Sequence, residues 1–399
     1  MTILCLASYE KGHEFLRECR RQGARTLLLT SLSLKDEAQW PRESLDDIFY
    51  MPDERKRWNR EDTIKAVSYL ARTEKLDRIV PLDDFDLELA ASLREHLRLP
   101  GLGETATRYF RDKLAMRMGA QAGHVAVPAF TALFPHSQVN RFLAETPGPW
   151  VLKPRSLAGS IGIKKVHSPE QFWDLANALG DMQSHYLLER FVPGDVYHVD
   201  SLVYDGEVRF AIASRYGKPP MQVSQEGDVF VTMILPRGSA DEVALQATNR
   251  HVLSSLGLRH GVAHAEYIKA HEDGRIYFLE TAARVGGAHI AELIEAASGL
   301  NPWAEWAKIE LAGGQLPYEA TPSRCDYAAL LVSLAWQERP DTSAYQDPEI
   351  CWRIDRKHHV GFILRSSDYE RVQELTERYL ERIRGDFWTY LPPKEHPQD

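Results

Sequence analysis

Apolar residues in the first hundred positions alternate between short continuous runs and helical spacing. Ile3 to Ala7 is a continuous run, Phe15, Leu16 and Cys19 recur at helical spacing before Gly23, and Thr26 to Leu29 is apolar again. A second cycle follows, with Ile64, Val67, Leu70 and Ala71 on one helical face, a strand over 78–81, and Leu89, Ala90, Leu93 and Leu97 on a helix ended by Pro100-Gly101. This alternation predicts an α/β domain with an open, largely parallel sheet. Further on, a helix is predicted over 105–118 and strands over 150–153 and 161–166. Ser168-Pro169-Glu170-Gln171 then combines an N-cap, a first-turn proline and a capping-box glutamine, so a helix runs to about Leu179. After Tyr186 the period changes to two: 186–191, 196–204, an Asp205-Gly206 turn, then Val208, Phe210 and Ile212. This second part is antiparallel sheet, and 262–269 with 275–281 forms another hairpin. Helices capped by Asn301-Pro302 and by Ser367 with Glu370, a strand in the Ala328 to Trp336 run, a strand over 359–365 and a loose polar tail, 392–399, complete the chain.

Length and composition narrow the class. With 399 residues the chain exceeds one ordinary core, and 44% apolar with 26% charged residues is a globular balance. No apolar stretch approaches the ~20 residues of a bilayer span, and Met1 to Arg20 carries His13, Glu14 and Arg17 where a signal peptide is apolar, so a cytoplasmic protein without membrane contact is expected. A net charge of -9 without a long basic run argues against nucleic acid. The four cysteines lack C-x-x-C spacing, which supports neither zinc nor a disulfide framework. The first strand-to-helix turn, Ala7 to Gly12, lacks G-x-G-x-x-G, so the first domain is read as a scaffold whose loops, such as Asp83-Asp84, face a shared cleft.

Four features carry chemistry. Lys153 ends a strand and precedes a loop of small residues, 156–162, which either brings backbone N–H groups against phosphate oxygens or is an ordinary hairpin. Glu266 and Glu280 lie on the two arms of the 262–281 hairpin. A three-residue turn with Gly274 left-handed sets them face to face, whereas a two-residue turn sends Glu280 to the other side. Facing carboxylates suit magnesium bridging phosphates; a solvated outer face is the plainer alternative. The strand ending in Glu189-Arg190-Phe191-Val192-Pro193-Gly194 exposes terminal backbone groups that can read an adenine edge. Arg284, beside Gly286-Gly287, can grip a carboxylate or a phosphoryl group bidentately, or the segment is a structural turn.

In this order the features resemble the ATP-grasp superfamily, and within it the carboxylate–amine ligases such as L-amino acid ligases and biotin carboxylases. The resemblance runs from the Rossmann-like start through Arg111 to Arg117, Val127-Pro128, Lys153-Pro154, Leu187 to Gly194, His264-x-Glu266 and Phe278 to Gly287, to about Leu311. It implies three units: a Rossmann-like domain (1–104), a small lid domain (105–183) and a large antiparallel-sheet domain (184–399) with a C-terminal subdomain from about 315. It implies ATP and magnesium, with manganese as a substitute, and small carboxylate and amine substrates. Lys113 and Lys153 then contact ATP phosphates, and Ser156, Gly159, Ser160 and Gly162 belong to the loop over them. Glu189, Arg190, Phe191 and Val192 form the adenine hinge, Leu279 lies under the adenine, Glu266 and Glu280 hold the metal, and Arg284 meets the reacting phosphoryl group with Lys153. Two positions depart from the family pattern. Val196 stands where a ribose-binding acid is usual, leaving Asp195 one place early, and Ala282 replaces an Asn ligand. The expected activity is ATP-dependent amide or peptide bond formation through an acyl phosphate; a biotin-carboxylase-like enzyme and a non-catalytic ATP-binding regulator are the alternatives. The C-terminal part either closes the substrate pocket or forms a homodimer interface, and Arg215 and Lys218 are candidates for substrate contact.

Overall fold

The computed structural model describes residues 1–157, 159, 161–320 and 322–391. The predicted α/β start is a parallel sheet of four strands ordered Asp47–Met51, Arg25–Ser31, Thr2–Ala7, Arg78–Pro81. Its strands are apolar on both faces because helices cover both. His13–Arg21 packs with Phe15, Leu16 and Cys19 on one side, and Leu87–Leu97 presents Ala90 and Leu93 on the other.

A second, antiparallel sheet has the order Phe130–Ala132, Tyr186–Arg190, Trp150–Pro154, Lys164–Val166. The helix Pro169–Leu179 starts where its signal predicts: the Ser168 hydroxyl accepts from the Gln171 N–H at 3.2 Å. Phe172 and Ala176 from this helix, Val139 from His136–Glu145, and Leu152 and Leu188 from the sheet make the core of this unit. Tyr186–Arg190, expected on the far side of a boundary at 183, belongs by pairing to this small sheet.

The third sheet has eight strands in antiparallel order: Ile276–Ala282, Gly261–Ala270, Gly194–Tyr204, Glu207–Tyr216, Phe230–Ile234, Tyr327–Leu334, His359–Ser366, Ile350–Arg353. The last three strands, expected in a C-terminal subdomain of the large domain, extend this sheet edge to edge through the pairing of Phe230–Ile234 with Tyr327–Leu334. Asp205 and Gly206 both adopt positive φ (54° and 79°), which suits the twist of the hairpin they turn.

Two helix starts differ from the sequence reading. The helix expected over 105–118 is broken into Glu104–Arg108 and Lys113–Ala122, because the Asp112 carboxylate caps the second piece by accepting from the Leu114 N–H at 3.0 Å. The last helix, Tyr369–Asp386, is capped by Asp368 rather than Ser367. Among the described residues no helix is long and apolar enough to cross a membrane. Ser160 and the tail 392–399 lie outside the described residues.

Candidate active site

The break at Asp112 is the first device that builds the site. The Arg155 guanidinium forms an ion pair with the Asp112 carboxylate, its Nε donating at 2.9 Å, and the Lys113 N–H donates to the Arg155 carbonyl at 2.8 Å. The start of one helix and the end of the strand Trp150–Pro154 are thereby locked together. Lys113, on the first turn of that helix, and Lys153, on the strand, both line a cavity of about 390 Å³ between the small and large sheets.

A β-bulge is the second device. At the turn end of the hairpin Lys269 pairs with Ile276, a register that would set Glu266 against Leu279. The bulge between Glu266 and Tyr267 shifts the pairing by one, and Glu266 faces Glu280 across the ladder. The face-to-face arrangement is thus the one expected from a three-residue turn. It is reached by another route, a longer turn with Gly274 at φ 68° followed by the bulge. Both carboxylates line the cavity.

The charges interlock. Lys113 Nζ lies 2.7 Å from Glu280 Oε2 and donates to the Leu157 carbonyl at 2.7 Å. Lys153 Nζ lies 2.5 Å from Glu189 Oε1, and Arg117, fully buried, donates from Nε to Glu189 Oε2 at 3.0 Å and to the Leu279 carbonyl. Burial lowers the Lys153 ammonium to about 8 even though Glu189 pulls it the other way. Burial would raise the Glu280 carboxyl, but Lys113, with Lys153 and Arg117 behind it, outweighs burial and holds it at about 2. Burial would likewise raise Glu189; Arg117 and Lys153 reverse that and keep it below the usual range.

Beneath Glu266 sits a buried polar cluster. The Tyr216 hydroxyl donates to Glu266 Oε1 at 2.8 Å, and His264 Nε2 is 3.7 Å from the same oxygen. Asp200 bridges His264 Nδ1 (2.9 Å) and His198 Nδ1 (2.6 Å), while His198 Nε2 meets the Thr232 hydroxyl at 2.7 Å. The three acid and imidazole groups lie close enough for a cation, but Asp200 and Thr232 already occupy both nitrogens of His198 and Nδ1 of His264, so they form a scaffold. Gly286 is required against this scaffold: a Cβ there would stand 2.9 Å from Asp200 Oδ1 and 3.0 Å from His264 Nδ1.

The donor set fits a divalent ion. One oxygen of each glutamate is engaged, by Tyr216 and by Lys113, and the second oxygen of each has no hydrogen-bond partner among the described residues. At the cavity's other end, Arg190, Phe191, Val192 and Leu279 form the wall expected for a purine. The Phe191 N–H is spent on the Pro149 carbonyl at 2.9 Å, while the Val192 N–H has no partner among the described residues and is the available donor.

Several expected contacts are arranged differently. Glu189 lines the cavity, but both its oxygens are taken by Lys153 and Arg117, so it anchors the lysine rather than offering a hinge contact. Asp195 does not line the cavity. As strand alternation requires, Val196 occupies that wall, and Asp195 accepts from Arg215 at 2.9 Å. Ser156 lines a neighbouring cavity and Gly159 lines neither; among the described loop residues, Leu157 and Ile161 reach the first one. Gly162, at φ 72°, lets the loop close on Pro154, where a Cβ would come within 2.9 Å. Arg284 follows the strand Ile276–Ala282, half-buried, with Nη1 donating to the Val285 carbonyl at 2.8 Å and a buried Nε without a hydrogen bond. Lys218 is held by Asp228 at 2.7 Å.

Arg117, and His198 and Asp200 behind His264, were not anticipated as parts of the site. Arg117 stands four residues after Lys113, on the same helical face, which is the signal that marks it. His198 and Asp200 alternate on one strand face opposite His264, a legible pattern only once the pairing of their strands is known.

Comparison with known proteins agrees with this architecture. Residues 146–292 match the model of the ATP-grasp domain. An L-arginine-specific L-amino acid ligase of Bacillus subtilis is 23% identical over 241 residues, 59% of this chain and 58% of the relative. An alanine–anticapsin ligase of Bacillus subtilis strain 168 is 23% identical over 283 residues, 65% of this chain and 59% of the relative. The chain thus aligns with less than two thirds of either relative's length. Among solved structures, an L-amino acid ligase from Bacillus licheniformis superposes with a TM-score of 0.75 at 17% identity, covering 98% of both chains. The ADP complex of an N5-carboxyaminoimidazole ribonucleotide synthetase gives 0.73 at 14% identity, covering 96% of this chain and 97% of the other.

Proposed function

We propose, for a chain that belongs to the ATP-grasp superfamily by its fold and its central domain, that it is an ATP-dependent carboxylate–amine ligase. Its expected substrates are a small carboxylate and an amine, at least one of them an amino acid, and its products an amide or peptide with ADP and phosphate. The observation that carries this reading is the facing pair Glu266 and Glu280, each with a free oxygen, between two buried lysines. Such an arrangement has little use except to gather phosphate charge.

A carboxylate resists attack by an amine, so it must first be activated. Its oxygen attacks the γ-phosphorus of ATP, the new O–P bond forms as the bond to the β-phosphate oxygen breaks, and ADP leaves. The amine then attacks the acyl carbon, phosphate departs, and the amine gives up a proton. Lys113 and Lys153 neutralise phosphate oxygens in a partly closed cavity where each charge counts for more than in water. Glu266 and Glu280 would hold magnesium, which would supply positive charge to offset that of the phosphates. The Val192 N–H and the Phe191 and Leu279 walls fix the base. Arg284 lies off the cavity wall, and to meet the transferring phosphoryl its side chain would have to turn inward. Leu157 and Ile161 shield the acyl phosphate from water.

The test is ADP release with ATP, magnesium and a pairwise panel of carboxylates and amines, with mass spectrometry of the product. Glu280→Gln keeps its place in the strand but loses the charge, and should lower ADP release by about 100-fold or more; undiminished turnover would remove the metal assignment. ATP binding with no ADP release across a broad panel would favour a non-catalytic regulator.

A further inference from the structure

A second cavity, about 600 Å³, opens on the other side of Leu157, which lines both. It sits beyond the C-terminal ends of the parallel strands, with Ser8 and Phe85 in its wall, the place where open α/β sheets receive ligands. Its lining is unusually cationic: Arg57, Arg60, Arg108 and Arg111 all contribute. Arg60 is neutralised by Glu104. Arg57 and Arg108 have no side-chain hydrogen bond or ion pair among the described residues. Arg111 is 8% exposed, gives one nitrogen to Asp84 at 2.8 Å, lies over the Phe85 ring at 5.1 Å, and keeps a buried Nε without a partner. Three acids also line it, Asp86, Glu88 and Glu104; Glu104 is spent on Arg60, and burial, with Asp83 beside it, raises the Asp86 carboxyl to about 7.

The unpartnered guanidinium nitrogen of Arg111 in a buried wall is costly unless a ligand completes it, and exposed Arg57 and Arg108 beside it add two further cations without an ion pair among the described residues, more positive charge than one carboxylate answers. Trp58 and Phe85 supply an apolar wall for the body of a small molecule. We propose that this cavity seats the carboxylate co-substrate and that this co-substrate is dianionic, one carboxylate turned toward the nucleotide at Leu157 and a second carboxylate or phosphoryl group held by Arg108 and Arg111. The proposal rests on the ligase reading and specifies its substrate class.

The experiment compares ADP release for butyrate, succinate, glutarate and 3-phosphonopropionate under ATP, magnesium and an amine mixture, alongside calorimetric binding of the same acids. Exposed Arg108 is the variant site, because Arg108→Ala should leave the fold intact. The dianions should turn over in preference to butyrate, and Arg108→Ala should raise their KM about tenfold or more, the loss of one charge-assisted contact, with KM for ATP unchanged. Equal use of butyrate with an Arg108→Ala KM unchanged would overturn the proposal and leave the ligase reading standing. Arg108-dependent binding of the dianions without any ADP release would support the anion pocket and count against the ligase reading. Absence of both turnover and Arg108-dependent binding overturns the proposal.

Discussion

Arg117 has no exposed surface, and its charge is answered by Glu189, itself only 5% exposed. Without Arg117, Glu189 keeps Lys153 as a partner, but one of its oxygens and the Leu279 carbonyl lose their buried donor, so Arg117→Met should cost about 1–3 kcal/mol in urea denaturation. Lys153 would lose its anchor's fixed position, and ATP should bind more weakly even in the folded fraction. Gly286 gives a sharper test of the histidine scaffold. Gly286→Ala forces a methyl against Asp200 and His264 and should destabilise the protein by about 1–3 kcal/mol, with kcat falling as Glu266 shifts. A stable, fully active Gly286→Ala protein would show that the scaffold has no part in holding the glutamate. Residue types and their order singled out the two lysines and two glutamates that the structure brings to one cavity. Asp195 and Glu189 show the limit, since a carboxylate beside a cavity looks the same in sequence whether it faces a ligand or a neighbouring arginine.

Elements decide what those residues can reach. Asp112→Ala removes both a helix cap and the tie to Arg155, and should lower stability by about 1 kcal/mol or more while weakening ATP binding, because Lys113 sits on the released turn. Thermal melts with and without nucleotide would separate the two effects. A second junction joins the last helix to the large sheet: Asp228 takes both a bidentate Arg384 (3.0 and 2.7 Å) and Lys218 (2.7 Å). Burial would raise the Asp228 carboxyl, but these cations lower it from 3.8 to about 2. The sign follows: its stabilisation is fully present above the unfolded value and fades as pH falls through about 2. The stability gap between the wild type and Asp228→Asn should therefore be constant from pH 7 to 5 and narrow below pH 4. The helices and strands themselves were legible because caps and periodicity are local. The hairpin register was not, since the one extra residue of a bulge leaves no mark that distinguishes Leu279 from its neighbours, and the break at Asp112 was hidden because a capping Asp reads equally well as a solvated helix residue.

At the scale of the whole molecule, the large sheet runs without interruption from Ile276–Ala282 to Ile350–Arg353. Truncation after residue 315 would strip the partner of Phe230–Ile234 and open the core made by Leu331, Phe362 and Tyr379. Such a protein should fail to fold, as judged by circular dichroism and protease resistance, whereas an independent C-terminal subdomain would leave it intact. The switch of period near residue 186 announced the long antiparallel strands of the large sheet, whereas the division into three units rested on the order of the motifs. Where the units meet was not, because a strand such as Tyr186–Arg190 is equally apolar in either sheet, and because the arginines of the second cavity come from segments far apart in the chain. The net charge of -9 likewise conceals the second cavity, where five Lys and Arg side chains meet three acids.

The contact between Lys113 and the Leu157 carbonyl links these scales. If Lys113 serves nucleotide phosphate, the loop and the nucleotide compete for one ammonium, and the main chain acts as a built-in antagonist. By thermodynamic reciprocity, any change that strengthens the loop's hold on Lys113 weakens nucleotide by the same factor, and nucleotide loosens the loop in return. Loading the first cavity would thereby unlatch the partition that separates it from the second.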